Sequence, residues 1–534
     1  MLSARRGVDG AGQNRPGAAP LSAMNDLPYQ TIAERIRARA QAAPEHLALV
    51  DAAGSLDYAH LDTLMDRIAA TLQRQGIGAG EAIAICAASS VRYAAVFLGA
   101  LRAGIVVAPL APSVTPANFV SMLADAKARL LFVDAGALGL MEGEPGLPPR
   151  VALDAAAAAP PSAATPFDDW LAPAGSAPGE VTIDPEGPFN IIYSSGTTGA
   201  PKGIVQSHGM RWTHVARGNR FGYDTETVTL LATPLYSNTT LVAFFPTLAL
   251  GGTVVLMARF DVDTYLALAE QHRATHTMLV PVQYQRVMAS PHFAEHDLRA
   301  FRMKFCTSAP FSAALKADVL ARWPGGLVEF YGMTEGGGSC ILAAHEHPNK
   351  LHTVGQPGEG NDMRVIDEEG RELPPGAIGE VVGHSAGMMT GYFGQPAKTA
   401  EAEWFDALGK RFIRTGDVGR FDDEGFLTLL DRRKDMIISG GFNIYPSDLE
   451  AVLRAHPEVA DAAVAAVPSE QWGETPAAWV VRRAGAATAE EPLRQWANAR
   501  LGKTQRISTL RFIDELPRSA IGKILKRELR DAHH

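Results

Sequence analysis

At 534 residues, with 46% hydrophobic and 20% charged side chains, the chain has the make-up of a globular protein of several structural units with sizeable cores. A formal net charge of −9, with its basic residues scattered, excludes a nucleic-acid surface as its main business. The cysteines, Cys86, Cys306 and Cys340, are too few and too far apart for a disulfide framework or a paired-cysteine metal site, which points to a reducing, cytoplasmic setting.

Residues 1–26 hold Arg5, Arg6 and Arg15 among Gly, Ala and Pro without an apolar core, so they read as a disordered extension and not as a secretory signal; Met24 is a second candidate start. Beyond them, helical and strand patterns alternate. Tyr58, Leu61, Leu64, Met65, Ile68 and Leu72 form a helical stripe, followed by a strand at 82–86, a helix at 90–102 and strands at 105–108 and 130–133. Ala and Pro dominate 155–178, which reads as a linker or surface excursion. The uncharged run 227–258 is broken by Pro234, Pro246 and Gly251-Gly252, so it is expected to be buried sheet and not a membrane span. Further strands are expected at 189–193, 252–257, 276–280, 303–306 and 328–331. Such alternation predicts mostly parallel sheets covered by helices.

After Gly358 the pattern turns to short strands (363–367, 379–384, 425–430) between Gly- and Pro-containing turns, which predicts a β-rich subdomain. Past Arg432 comes a compact series: a helix from Pro446 with Ser447 and Glu450 spaced as a capping box, strands at 462–467 and 477–481, a helix at 491–501 and a strand at 510–513. The fold class expected is therefore α/β: a large N-terminal domain over 27–431 and a small α+β C-terminal domain over 432–534.

Chemistry concentrates at Tyr193-Ser194-Ser195-Gly196-Thr197-Thr198-Gly199-Ala-Pro-Lys202-Gly203. Hydroxyls, glycines and a lysine leaving a strand end are what a protein needs to hold a polyphosphate. The spacing departs from the common P-loop, because Pro201-Lys202-Gly203 stand where that motif places Gly-Lys-Ser/Thr. Such clusters are ordinarily plain loops. This run, however, resembles the phosphate loop of the adenylate-forming family of acyl-CoA synthetases, firefly-type luciferases and peptide-synthetase adenylation domains, and further resemblances follow in the family's order.

Phe330-Tyr331-Gly332-Met333-Thr334-Glu335 resembles the family's next motif, which implies Tyr331 against adenine, Thr334 on the α-phosphate and Glu335 on Mg²⁺. Ser308-Ala309-Pro310 resembles the loop beside adenine, although the family usually has Gly at position 308. Phe412 to Asp417 resembles the ribose motif, with Asp417 accepting from both hydroxyls. Asp431 to Pro446 resembles the domain junction: Arg432 reaches ribose and phosphates, Lys434 is the hinge, and Gly440 and Gly441 later line the CoA pantetheine channel. Leu516 to Ile524 resembles the segment that delivers the catalytic lysine, Lys523. Without the other motifs, a terminal Lys beside Gly would read as a solvated surface residue.

Two departures matter. Pro234-Leu235-Tyr236-Ser237 lacks the histidine that the family often places near the acyl and thiol channel. No acidic residue occurs in 227–258, where the peptide-synthetase branch holds a substrate ammonium. The resemblance therefore implies an AMP-forming acyl-CoA synthetase with a mobile C-terminal domain, using ATP, CoA, Mg²⁺ and a carboxylic acid, with fatty-acid metabolism as its setting. Tyr236, Ser237, Asn238, Gly336 and Gly337, with Gly338, are the expected acyl-pocket walls, and residues lacking Cβ would leave room for an uncharged fatty, alicyclic or aromatic acid. Rival readings are transfer to a carrier-protein pantetheine, a luciferase-like oxygenase, and a silent nucleotide-binding sensor. No nucleic-acid partner and no integral membrane segment are expected.

Overall fold

The computed structural model describes residues 27–159, 164–194, 202–439, 442–502, 505–519 and 522–532. A nine-stranded sheet has a parallel block in the order Leu47–Asp51, Thr253–Leu256, Val228–Leu231, His276–Leu279, Met303–Cys306 and Gly326–Gly332. An eight-stranded sheet aligns Pro188–Ser194, Val106–Leu110, Ala82–Cys86, Leu131–Val133 and Arg150–Ala152 in parallel, with Lys202–Ser207 antiparallel beyond Pro188–Ser194. Strands such as Ala82–Cys86 are apolar without alternation because helices cover both faces, and every residue of that strand is buried.

Between the sheets lies the largest core. Phe245 meets Phe97 and Phe189 edge-on at 5.6 and 5.1 Å, and the helix Val91–Arg102 runs through this layer behind Ser90, whose side chain accepts from the Tyr93 amide. Two more helices of this layer frame the site. His208–Ala216 is capped by Ser207 and Asn238–Ala249 by Ser237.

An antiparallel five-stranded sheet follows, built on Asp362–Ile366, Gly379–His384, Arg411–Phe421 and Glu403–Phe405, with Leu427–Arg432 paired to Arg411–Phe421. A separate C-terminal sheet is built on Val459–Ser469 and Gly473–Arg482, with the helices Pro446–Arg454 and Glu490–Asn498 near it. The expected α/β class, with a β-rich subdomain and a small C-terminal unit, is the fold found.

Three local expectations change. The run 227–258 is strand, helix and strand, because the buried hydroxyls of Thr229 and Thr247 bond each other and let a twelve-residue helix sit inside the core. No helix among the described residues is long and apolar enough to cross a membrane. The Ala/Pro stretch is partly core: Phe167 and Trp170 are buried, Trp170 packs edge-on to Phe132 at 5.1 Å, and Thr165–Pro166 extends the sheet. Ser447 and Glu450 form no capping box. Ser447 Oγ donates instead to the Leu430 carbonyl, its amide donates to Asp431 at 3.0 Å, and Glu450 is buried against Lys526 at 3.0 Å and the Val464 amide at 2.9 Å.

Candidate active site

One cavity of about 3130 Å³ runs between the two large sheets, the β-rich sheet and the C-terminal unit. It exceeds the usual range of roughly 300–1,000 Å³ for a single small-molecule pocket. It lies where Gly326–Gly332, Met303–Cys306 and Pro188–Ser194 reach their carboxyl ends, the usual position for a ligand in open parallel sheets.

Gly326–Gly332 carries Tyr331 and Gly332 into this space, with Met333 and Thr334 following. The Tyr331 hydroxyl donates to Asp417 Oδ2 at 2.9 Å, and Arg432 Nε lies 3.1 Å from Asp417 Oδ1. Strand register imposes that pairing, because Asp417 and Arg432 are direct partners across neighbouring strands. Burial and the Asp417 charge push the Tyr331 phenol well above its ordinary value, so it remains a neutral donor. Three residues from separate motifs thus converge through hydrogen bonding and charge.

Glu335 makes the second cluster. Its Oε1 accepts from the Tyr392 hydroxyl at 2.9 Å, and the Lys202 ammonium stands 4.9 Å from the centre of the Tyr392 ring. Sequence reasoning missed Tyr392, which carries no motif of its own; it reaches the site because Gly391–Tyr392 pairs with Lys202–Ser207. The second Glu335 oxygen has no protein partner among the described residues, and no group of three His, Cys, Asp or Glu converges to hold a metal there. A cavity-lining carboxylate with one oxygen left without a protein partner fits Mg²⁺, which binds through one or two carboxylates and substrate phosphates. In that mode the ion would neutralise phosphate charge.

Ser194 lies in register with Lys202, and Ser195, Gly196, Thr197, Thr198 and Gly199 fall outside the described residues. Gly203 is needed for packing: a Cβ there would meet Ile191, Asp125 and Tyr193 at 2.9–3.1 Å. Thr334 is held by its carbonyl, which accepts from Gln206 Nε2 at 2.8 Å; Gln206 in turn bonds Arg211, which is fully buried and also donates to Asn190 Oδ1 at 3.0 Å.

Ser308, Ala309 and Pro310 line the cavity after Met303–Cys306. Ser308 has φ of 83°, the left-handed region where glycine is favoured, and its hydroxyl is held by Thr239 Oγ1 at 2.5 Å. Ser237, at the position where the family often has histidine, is the N-cap of Asn238–Ala249 and is buried. Tyr236, Ser237 and Asn238 all line the cavity, and burial pushes the Tyr236 phenol up.

The glycine run is a correction. Gly336 and Gly338 touch the cavity, but Gly337 does not line it. A Cβ at Gly336 would stand 1.8 Å from the Gly387 carbonyl, one at Gly337 2.5 Å from Ile413, and one at Gly338 2.4 Å from Met363. Gly337 therefore packs against Ile413 of the β-rich sheet and is no pocket wall, whereas Gly336 and Gly338 allow close approach at the cavity's edge.

Lys523 enters the cavity from the C-terminal unit. The loop that carries it is closed by the Ser519 amide on the Lys523 carbonyl at 2.8 Å and by Arg518 on the Gly522 carbonyl at 2.7 Å. Gly522 has φ of 77°, and a Cβ there would lie 3.0 Å from Val282, so the loop rests on the large domain. The surrounding walls, with Arg432 and Lys434 nearby, lower the Lys523 ammonium below the usual lysine range, while Asp417 and Glu335 oppose that fall. Lys523 therefore shares a field with both clusters. Lys434 lies in the turn after Arg432 and is also lowered, chiefly by burial; Gly440 and Gly441 fall outside the described residues.

Family models for "AMP-binding enzyme" and "AMP-binding enzyme C-terminal domain" match residues 36–393 and 448–523. The chain belongs to the AMP-binding enzyme family. It is 32% identical over 522 residues to a fatty acid–[acyl-carrier-protein] ligase of Streptomyces coeruleorubidus, covering 94% of this chain and 96% of that protein. It is also 32% identical over 501 residues to a feruloyl-CoA synthase of an Amycolatopsis species, covering 92% and 97%. Among solved structures, ATP-bound MatB from Rhodopseudomonas palustris superposes with a TM-score of 0.82 at 29% identity, over 94% of this chain and 99% of that one. An o-succinylbenzoate CoA synthetase from Bacillus subtilis with its acyl-adenylate superposes at 0.80 and 26% identity, over 95% and 99%. This family member is an enzyme of the acid–thiol ligase class, which sets aside the silent-sensor reading.

Proposed function

We propose that this AMP-binding enzyme is an AMP-forming carboxylate–CoA ligase that acts on an acid with an apolar body. The observation that carries the reading is that Lys523, delivered by the C-terminal unit, lines the same cavity as Glu335 and Asp417 of the large domain. A substrate carboxylate oxygen attacks the α-phosphorus of ATP and pyrophosphate leaves; a thiol then attacks the acyl carbonyl, giving thioester and AMP. The first step brings anions together. Lys523 neutralises charge at the reacting oxygens, Asp417 fixes the ribose, Tyr331 packs on adenine, and Lys202 with the Ser194–Gly199 loop holds the phosphates. The ion on Glu335 would be Mg²⁺.

A carrier-protein pantetheine is the second reading of the acceptor, favoured by the fatty acid–[acyl-carrier-protein] ligase among the relatives. Ile438, Phe442 and Trp472 are each more than half exposed in the C-terminal unit, apolar side chains available to a pantetheine arm. Buried thiols at Cys86, Cys306 and Cys340, raised by burial, accord with a cytoplasmic enzyme.

The test is acid-dependent exchange of labelled pyrophosphate into ATP across a broad acid panel, followed by product analysis with free CoA and with a holo carrier protein. Exchange plus acyl-CoA is the expected result. Acyl-carrier without acyl-CoA would favour the second acceptor, and no exchange with any acid would remove the adenylation reading.

A further inference from the structure

The His208–Ala216 helix and the turn after it carry one basic side chain per turn, Arg211, His214, Arg217 and Arg220, of which the last three line the cavity. Two of these have protein partners. Arg211 is buried on the side chains of Asn190 and Gln206, and Arg220 forms an ion pair with Glu359. Arg217 differs. It faces the cavity, its Nε donates to the Thr213 carbonyl at 3.2 Å, and its terminal nitrogens have no hydrogen-bond or carboxylate partner among the described residues. One turn away, His214 Nδ1 is buried without a partner, and burial followed by Arg217 and Arg211 holds that ring neutral.

Apolar side chains, Phe221, Val242, Pro246, Phe305, Phe330 and Ile341 among them, line the same cavity. A guanidinium set in such walls loses hydration and gains no protein anion in return, and burial with Arg220 beside it lowers Arg217 to about 10. A planar guanidinium with unused terminal donors matches a carboxylate in two-point fashion.

The helix supplies a length. Met210, near its start, touches the Gly336 loop, with its Cε 2.8 Å from a Cβ built at Gly336. Arg217 is seven residues further on, which is on the order of 10 Å at a helical rise of ~1.5 Å per residue. Gly336 follows Glu335 directly, so Arg217 lines the cavity about 10 Å along the helix from the loop that carries Glu335.

We infer that Arg217 is a specificity-determining residue and that the acid activated here carries a second carboxylate at its far end, about 10 Å from the reacting one. The inference rests on the ligase reading above and replaces the expectation of an uncharged acid, while keeping the apolar body. Arg217 offers the distal carboxylate its two unpartnered terminal nitrogens, and His214 lines the cavity one turn before it.

Matched acids test it. Decanedioate against decanoate, and 4-carboxycinnamate against 4-methylcinnamate and 4-hydroxycinnamate, are compared by kcat/KM for pyrophosphate release in the wild type, Arg217→Met and Arg217→Lys. The wild type should favour the diacid of each pair at least tenfold. In Arg217→Met the diacid-to-monoacid ratio should fall thirtyfold or more, mainly through KM for the acid, while Arg217→Lys keeps part of the preference. Thermal unfolding of each variant verifies that the fold survives. Wild-type preference for the methyl or hydroxyl acids, or a ratio unmoved in Arg217→Met, overturns the inference and leaves the ligase reading standing. Failure of every acid to release pyrophosphate would instead defeat the ligase reading itself.

Discussion

Lys523 shows how one residue's chemistry depends on its surroundings. On a terminal surface it would be an ordinary ammonium; within the cavity its walls, Arg432 and Lys434 lower it, and Asp417 and Glu335 restrain the fall. The ammonium is the form that neutralises the reacting anions. The alkaline limb of kcat/KM for ATP should therefore lie below the usual lysine value of about 10.4. In kcat the limb should move upward, because bound phosphates favour the charged form. Lys523→Arg should erase the limb in the measured range, and an unmoved limb would assign it to another group. Lys523→Ala should slow pyrophosphate release by about a hundredfold or more, on the order of 3 kcal/mol, and largely spare thioester formation from supplied acyl-adenylate. Equal losses in both half-reactions would exclude the role.

At the scale of elements, a loop and a strand end must meet across two domains. The 518–524 loop closes through the Arg518 and Ser519 bonds and rests on Val282 through a residue without Cβ. Gly522→Ala would strain a left-handed backbone, at roughly 1–2 kcal/mol, and press on Val282. Pyrophosphate release should drop about tenfold or more in single-turnover measurements, with a much smaller change in thioester formation from acyl-adenylate. An unaltered first step would mean that the loop adopts its catalytic position without that contact. The Ser237 cap illustrates the converse case, in which a position that is often histidine in the family serves helix geometry here.

Across the whole molecule, the C-terminal unit stands with Lys523 in the cavity of the nucleotide clusters, whereas the exposed Ile438, Phe442 and Trp472 belong to another part of that unit. Both parts cannot serve one site at once, so a turn of the unit about Lys434 links the two half-reactions in the proposed cycle. In the present arrangement the Lys434 amide makes no hydrogen bond among the described residues, so proline there removes a donor that is not in use. Lys434→Pro should leave pyrophosphate release near the wild-type rate and slow thioester formation strongly. Following the two products separately in a single turnover checks this, and unimpaired thioester formation would place the hinge elsewhere.

Sequence by itself pointed to the family, the α/β class with many of its strands, and the identity of Tyr331, Glu335, Asp417 and Lys523 as candidates, because those depend on local patterning and on short runs with fixed spacing. It was also enough to place the ends of most strands within a residue or two, since an apolar run stops where the chain leaves the core. Tertiary structure alone decided the rest. Tyr392 reaches Glu335 only through pairing with a strand nearly two hundred residues earlier. Ser447 abandons its capping box because the Leu430 carbonyl and Asp431 lie closer to hand than its own helix. Gly337 turns to Ile413 because the β-rich sheet presses on it. The solitary charge of Arg217 is likewise invisible in a chain with many carboxylates; only folding determines which of them comes near, and none among the described residues does.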